Sequence, residues 1–268
     1  MNKRVLGVLL FLAFGLARLP LDHAMTMNLR EKGLKEAPPT VSWQEDFGQM
    51  FLATLGGLRS LVASVGFLEA YSAWERNDWG AVDNRMTLVT RMQPYEPTYW
   101  DEASWHMAYN AASYFKRDKS LRAAIQNKLF KDHVQRGLEI LNEGLRYLPE
   151  NRRLLEALGY IYKDRQPDPE RAATAFIEAH KNGSLDFIER LGAYELVKVG
   201  DRASSAQAYE ILKRYYDRGP PFTKMESIQR DLRILENRLN IPADKRIPAA
   251  PAPASTTSPR PMLRNTNP

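Results

Sequence analysis

Between Val41 and Asn240 the apolar residues recur at spacings of three and four, and the strict alternation that a half-buried strand needs is absent. That period is the signature of one helical face, so the body of the chain is predicted to be all-α. Prolines at positions 94, 97, 149, 167, 169, 220 and 221 punctuate the pattern. Because proline lacks a donor and clashes inside a helix, they divide the body into short helices joined by turns. With no cysteine in 268 residues, disulfides, thiolate nucleophiles and thiolate-bound zinc or iron–sulfur centres are excluded. Short amphipathic helices must therefore hold one another by packing, which directs attention to a repeat.

A small residue followed by tyrosine marks four positions, Ala70-Tyr71, Ala108-Tyr109, Gly159-Tyr160 and Ala193-Tyr194, in steps of 38, 51 and 34 residues. In the first unit Asn77, Asp78 and Trp79 are expected in the turn between two helices, with Val82, Met86, Val89 and Pro94 in the second helix and its terminus. In the second unit Gly137, Leu141, Gly144 and Pro149 take the same relative places. The distance from small residue to proline is 24 residues in the first unit and 41 in the second, which predicts an inserted helix or long loop within Lys116–Lys131. The fourth unit, with Gly200 and Asp201 at its turn and Tyr209 beyond it, is degenerate. Met225, Ile228, Leu232, Leu235 and Leu239 then line one face of a helix expected to cap the array.

The third unit carries the clearest pattern. Leu158-Gly159, Tyr162, Ala172, Phe176 and Ala179 resemble the tetratricopeptide repeat, with one residue too many between Tyr162 and Ala172. Small residues at Gly159, Ala172 and Ala179 let helix backbones approach, while Leu158, Tyr162 and Phe176 fill the space between them. The resemblance covers about residues 63 to 218. It implies an α-helical solenoid of hairpins whose concave face binds proteins or peptides, and no reaction. The stretch from Leu55 to Tyr71 is also similar to bacterial membrane-anchored repeat proteins.

In the geometry this resemblance implies, the residue after each small one faces the inner groove. Tyr71, Tyr109, Tyr160 and Tyr194 would then form a ladder, joined one turn away by Phe67, Trp74 and Trp105, and grip an extended peptide. The competing reading makes the same rings ordinary packing between repeats. Arg153, Lys163, Arg190 and Lys198 are the basic residues available for a carboxylate clamp, although solvated helix faces supply such charges routinely.

The ends are expected to lie outside the fold. Lys3 and Arg4 precede an apolar run from Val5 to Ala17, about 20 Å long as a helix against a hydrocarbon core of about 30 Å. Residues 1–21 read either as a short uncleaved anchor or as a cleaved signal segment, with Gly15 and Ala17 before the cleavage point. Either places the body outside the cytoplasmic membrane, in a bacterial periplasm, by the positive-inside tendency, which Arg30, Lys32 and Lys35 oppose. Residues 22–40 are a linker, 41–62 a helical lead-in, 63–241 the repeat domain with its cap, and 242–268 a disordered tail rich in proline, alanine, serine and threonine. The stretch from Phe47 to Leu68 has the length of a second span, but Arg59 near its centre costs about 2.5 to 3.5 kcal/mol there.

The formal charge of +6 resides in the ends. Residues 1–35 carry six basic and two acidic side chains and 242–268 carry four and one, so 36–241 are one charge negative. A near-neutral body lacks the basic face that nucleic acid demands. His106, His133 and His180 have no zinc-hydrolase spacing, and there is no phosphate-cradling glycine loop or nucleophile elbow. The adjacent Asp101 and Glu102 point about 100° apart on a helix, a poor start for a glycosidase pair. The expectation is a non-enzymatic scaffold without metal or cofactor, tethered to the membrane and binding a protein partner in envelope assembly or export. A carbohydrate-binding or envelope-structural module is the alternative.

Overall fold

A computed structural model describes residues 58–248, together with Ala24, Met25 and Asn28. The described residues are helical throughout and contain no strand. The helices are α1 (Leu58–Glu75), α2 (Trp79–Met92), α3 (Pro97–Trp105), a π-helical segment (His106–Ala111) running directly into α4 (Ala112–Arg117), α5 (Ala123–Tyr147), α6 (Arg152–Asp164), α7 (Pro169–Lys181), α8 (Asp186–Val199), α9 (Arg202–Asp217) and α10 (Glu226–Arg238). No described helix is long and apolar enough to cross a membrane. The predicted anchor or signal segment, the linker apart from Ala24, Met25 and Asn28, which are helical, and most of the lead-in lie outside the described residues.

Local signals set these boundaries. Asp78 accepts from the Ala81 N–H, Asp168 from the Arg171 N–H, and Asn151 and Asp201 each from two amides, satisfying donors that a helix start leaves open. Pro97 and Pro169 begin α3 and α7, where a missing N–H costs nothing. Gly200 closes α8 at φ 84°, a conformation that favours glycine.

With the continuous run from α3 to α4 taken as one helix, each helix packs chiefly on its neighbours in sequence, and contacts beyond these join α3 to α6 and α8 to α10. A first core runs from Ala70 through Trp100, Leu141, Leu154 and Phe176 to Ile188. A second runs from Ala173 through Leu212, Tyr215 and Leu232 to Ile247. The tight approaches fall where the motif expected them: a β-carbon on Gly159 would stand 2.6 Å from the Phe176 ring, and Ala172, Phe176 and Ala179 are fully buried. Ile228, Leu232 and Leu235 of α10 are likewise buried against α9 and α8.

Three expectations are corrected. The extra length of the second unit forms neither an added helix nor a long loop. It lengthens both members of the hairpin, α3 to α4 being continuous to Arg117 and α5 running for 25 residues. The turn between them is short because Asp118 accepts from both the amide and the hydroxyl of Ser120, and its carbonyl accepts from Gln126. Trp79 is not a turn residue: it opens α2, is buried, and lies 5.7 Å from the Tyr114 ring. Finally, residues 242–248, predicted as the start of the disordered tail, fold back on α10. Ile247 is buried and its N–H donates to Glu236 Oε1 at 2.7 Å, while Arg246 donates to Asn237 Oδ1.

Candidate functional site: an aromatic trough across α1, α3 and α6

Phe67, Tyr71 and Trp74 follow one another at spacings of four and three on α1, so they share one side of it. That side meets α3 and its π-helical continuation. The Phe67 ring lies 5.0 Å from Tyr71 and 5.3 Å from Tyr99, and Tyr71 lies 6.1 Å from Trp74. Three rings then converge on His106: Tyr71 at 5.7 Å, Trp74 at 6.0 Å and Trp105 at 5.6 Å. Tyr71, Trp74 and Trp105 remain 37%, 37% and 47% exposed, so they form a wall rather than core. Trp105 continues the surface to a cavity of about 310 Å³, lined also by Tyr109 and Tyr160.

The π-helical segment determines which residues reach this surface. Its wider turn shifts the register of Trp105 to Asn110 against the preceding α3. Ala108 and Ala111 pack at zero exposure, and Gly137 on α5 comes so close that a β-carbon there would meet Ala108 Cβ at 2.7 Å. From the other side Arg165, just past α6, donates to the carbonyls of Ala108 and Tyr109 at 3.0 and 2.8 Å and to Ser113 Oγ. Its guanidinium lies between the Tyr109 and Phe130 rings, 4.6 and 5.5 Å from their centres.

His106 is 1% exposed. With the amide assigned as placed, Asn110 Nδ2 donates to Nδ1 at 3.1 Å, so the proton sits on Nε2, which has no partner. Burial lowers its pKa and keeps the ring neutral near pH 7. Ser104 Oγ and Trp79 Nε1 are also buried without partners. Tyr109 is pushed up to about 12, by burial first and then by Asp164, against the pull of Arg165. Glu102 is raised by burial and then by Asp101, with Arg153 opposing.

Six of the seven predicted ring positions thus belong to one neighbourhood: Phe67, Tyr71 and Trp74 with Trp105, then Trp105 with Tyr109 and Tyr160. Tyr160 also packs edge-on against Phe176 at 5.1 Å, so it serves the core as well. Tyr194 does not belong. Its hydroxyl shares a hydrogen bond of 2.9 Å with Ser227 Oγ at the start of α10, and the ring packs on the second core. A ladder through all four tyrosines is therefore corrected to one neighbourhood that holds Tyr71, Tyr109 and Tyr160, while α10 covers Tyr194.

The four basic residues considered for a carboxylate clamp are already engaged. Arg153 pairs with Asp101, Lys163 with Asp164 and Lys198 with Glu195, and Arg190 lies over the Tyr215 and Phe222 rings. Among the described residues no cluster of three or more histidine and carboxylate groups is placed to hold a metal ion. Residues that the pattern missed are Asn110, Ser104 and Arg165, and His106 was weighed there only as a zinc ligand. Compared with family models, curated proteins and solved structures, the chain matches none.

Proposed function

We infer that this chain is a membrane-tethered adaptor that holds a protein or peptide partner outside the cytoplasmic membrane. In this reading its helical hairpins are tetratricopeptide-like units of a solenoid and the aromatic trough is the concave binding face. The observation that carries it is the wall of Tyr71, Trp74 and Trp105, rings left 37 to 47% exposed beside a cavity. Large rigid rings at partial exposure give contact area at low entropic cost, the usual composition of protein-binding surfaces. The sequence pattern of residues 1–21 supplies the tether, and its cationic start the orientation.

The test is photo-crosslinking from the trough in native membranes, with a photoreactive residue at Trp105 or, as control, at Leu185, which is 69% exposed far along the chain. A discrete protein adduct from position 105, absent at 185 and lost in a Tyr71→Ala, Trp74→Ala background that keeps its helical signal, is the expected result. Identical adducts from both positions would remove the trough from the reading. Adducts displaced by isolated polysaccharide rather than by soluble envelope protein would favour the carbohydrate module.

A further inference from the structure

The cavity at the α3–α6 end of the trough has an uneven chemistry. Asp101, Ser104 and Trp105 of α3, Tyr109 of the π-helical segment, and Tyr160 and Asp164 of α6 line it, with Ala157 and Ile161 at its apolar floor. The lining therefore holds two carboxylates, three aromatic rings and a buried hydroxyl without a partner, and no cation of its own, although Arg165 from outside it covers one face of Tyr109 at 4.6 Å. A ring face attracts a cation through its quadrupole, and a carboxylate beside it completes the charge. Asp101 uses Oδ2 for Arg153 and Asp164 uses Oδ1 for Lys163, each at 2.6 Å. These pairs join partly exposed side chains and are readily exchanged, and each carboxylate has its second oxygen to offer. Tyr109 reports part of the same field, its pKa raised by burial first and then by Asp164, against Arg165, whereas Tyr160 is raised by burial and then Glu156, with Lys163 opposing and Asp164 adding least.

We propose that this cavity recognises an alkyl cation, the ammonium or guanidinium of a lysine or arginine side chain carried by the partner peptide, seated between Trp105, Tyr109 and Tyr160 with Asp101 and Asp164 as counter-charges. This rests on the peptide-binding reading above and names the residue that the partner must present. A volume of about 310 Å³ admits one long side chain with its flanking backbone. The apolar floor of Ala157 and Ile161 suits the methylene stem, and Ser104 Oγ is free to accept from the cationic head. An acidic side chain would face two carboxylates and is rejected.

The full chain in detergent micelles is titrated by calorimetry with four capped pentapeptides that differ only in a central arginine, lysine, citrulline or glutamate, and with choline as a free organic cation. The arginine and lysine peptides are expected to bind about tenfold more tightly than the citrulline peptide, with the glutamate peptide weakest and with added salt eroding the difference. Asp101→Asn with Asp164→Asn removes the preference, and Trp105→Ala weakens all cationic ligands. Both carboxylates lie in partly exposed positions, and unchanged far-UV circular dichroism shows that the variant is folded. Choline binding as tightly as the arginine peptide, with the same dependence on the carboxylates, supports the cation site and identifies a free cation as its source. Equal binding of arginine and citrulline peptides, or a preference that survives the double substitution, overturns the inference while the peptide trough stands. Absence of binding by every probe also overturns it, and the crosslinking experiment judges the trough independently.

Discussion

Gly137→Ala probes the contact that holds the trough in register. Gly137 lies within α5 against the π-helical segment, and a β-carbon there would stand 2.7 Å from Ala108 Cβ, 3.0 Å from the Ser104 carbonyl oxygen and 3.1 Å from the Ala108 nitrogen. Two of these atoms are backbone and the third is a β-carbon, so no rotamer change relieves the clash and α5 must move off as a unit. Overpacking costs about 1 to 3 kcal/mol, and here the upper part of that range, about 2 to 3, because backbone atoms must move; it is offset by the roughly 1 kcal/mol by which alanine is preferred over glycine inside a helix. The expected net loss is about 1 to 2 kcal/mol, which at a urea slope of about 2 kcal/mol/M lowers the unfolding midpoint by about 0.5 to 1 M. Gly80→Ala is the matched control. Its nearest atom, Asp78 Oδ1, is an ordinary 3.8 Å away, and in the first turn of α2 the substitution should raise stability by about 0.5 kcal/mol. Urea titration of the full chain, followed by far-UV circular dichroism, measures both. A Gly137→Ala midpoint equal to or above that of the parent would refute close approach of α5 as the element that fixes the π-helical segment.

Two further results are expected. His106, whose folded pKa burial depresses below its ordinary 6.5, stabilises the fold in its neutral form. The unfolded chain binds the proton first, so this contribution is complete above pH 6.5 and is lost as pH falls toward the folded value. The melting temperature should therefore drop between pH 7.5 and 5.5 by more in the parent than in His106→Gln, and parallel profiles would remove His106 as the cause. Glu189 is buried and accepts from the Tyr215 hydroxyl at 2.6 Å and from Arg214. Glu189→Leu strands both donors and should cost about 2 to 3 kcal/mol in the same urea assay, whereas a loss below about 0.5 kcal/mol would mean that water replaces the carboxylate.

The helical class, most turns and the last amphipathic helix were legible because each rests on a local signal: spacing of three and four, an Asp or Asn before a proline or apolar run, and a small residue where backbones meet. The lengthened second hairpin was not. A longer gap between markers is compatible with an insertion or with longer helices, and only the pairing of α4 with α5, closed by the Asp118 turn, decides between them. Tyr194 was misplaced for a related reason. Its position in the repeat equals that of Tyr160, but the helix that follows its hairpin is the cap, and Ser227 on that helix takes its hydroxyl.

The most informative part of the trough was also the least legible. A search by regular helical spacing places Trp105, His106, Tyr109 and Asn110 around a helix of 3.6 residues per turn, whereas the π-helical segment sets them on a wider turn. Its extra residue is tolerated because distant parts of the chain satisfy what it loosens: Arg165 donates to the carbonyls of Ala108 and Tyr109, and the absent side chain of Gly137 admits the displaced backbone. None of these partners is near in sequence, so no local pattern announces the segment. The consequence is that the ring wall, the orphan Nε2 of His106 and the acid-lined cavity all depend on one irregular turn held from two sides. Straightening that turn would preserve the fold class and dismantle the surface on it, which separates the sequence determinants of the architecture from those of the ring wall.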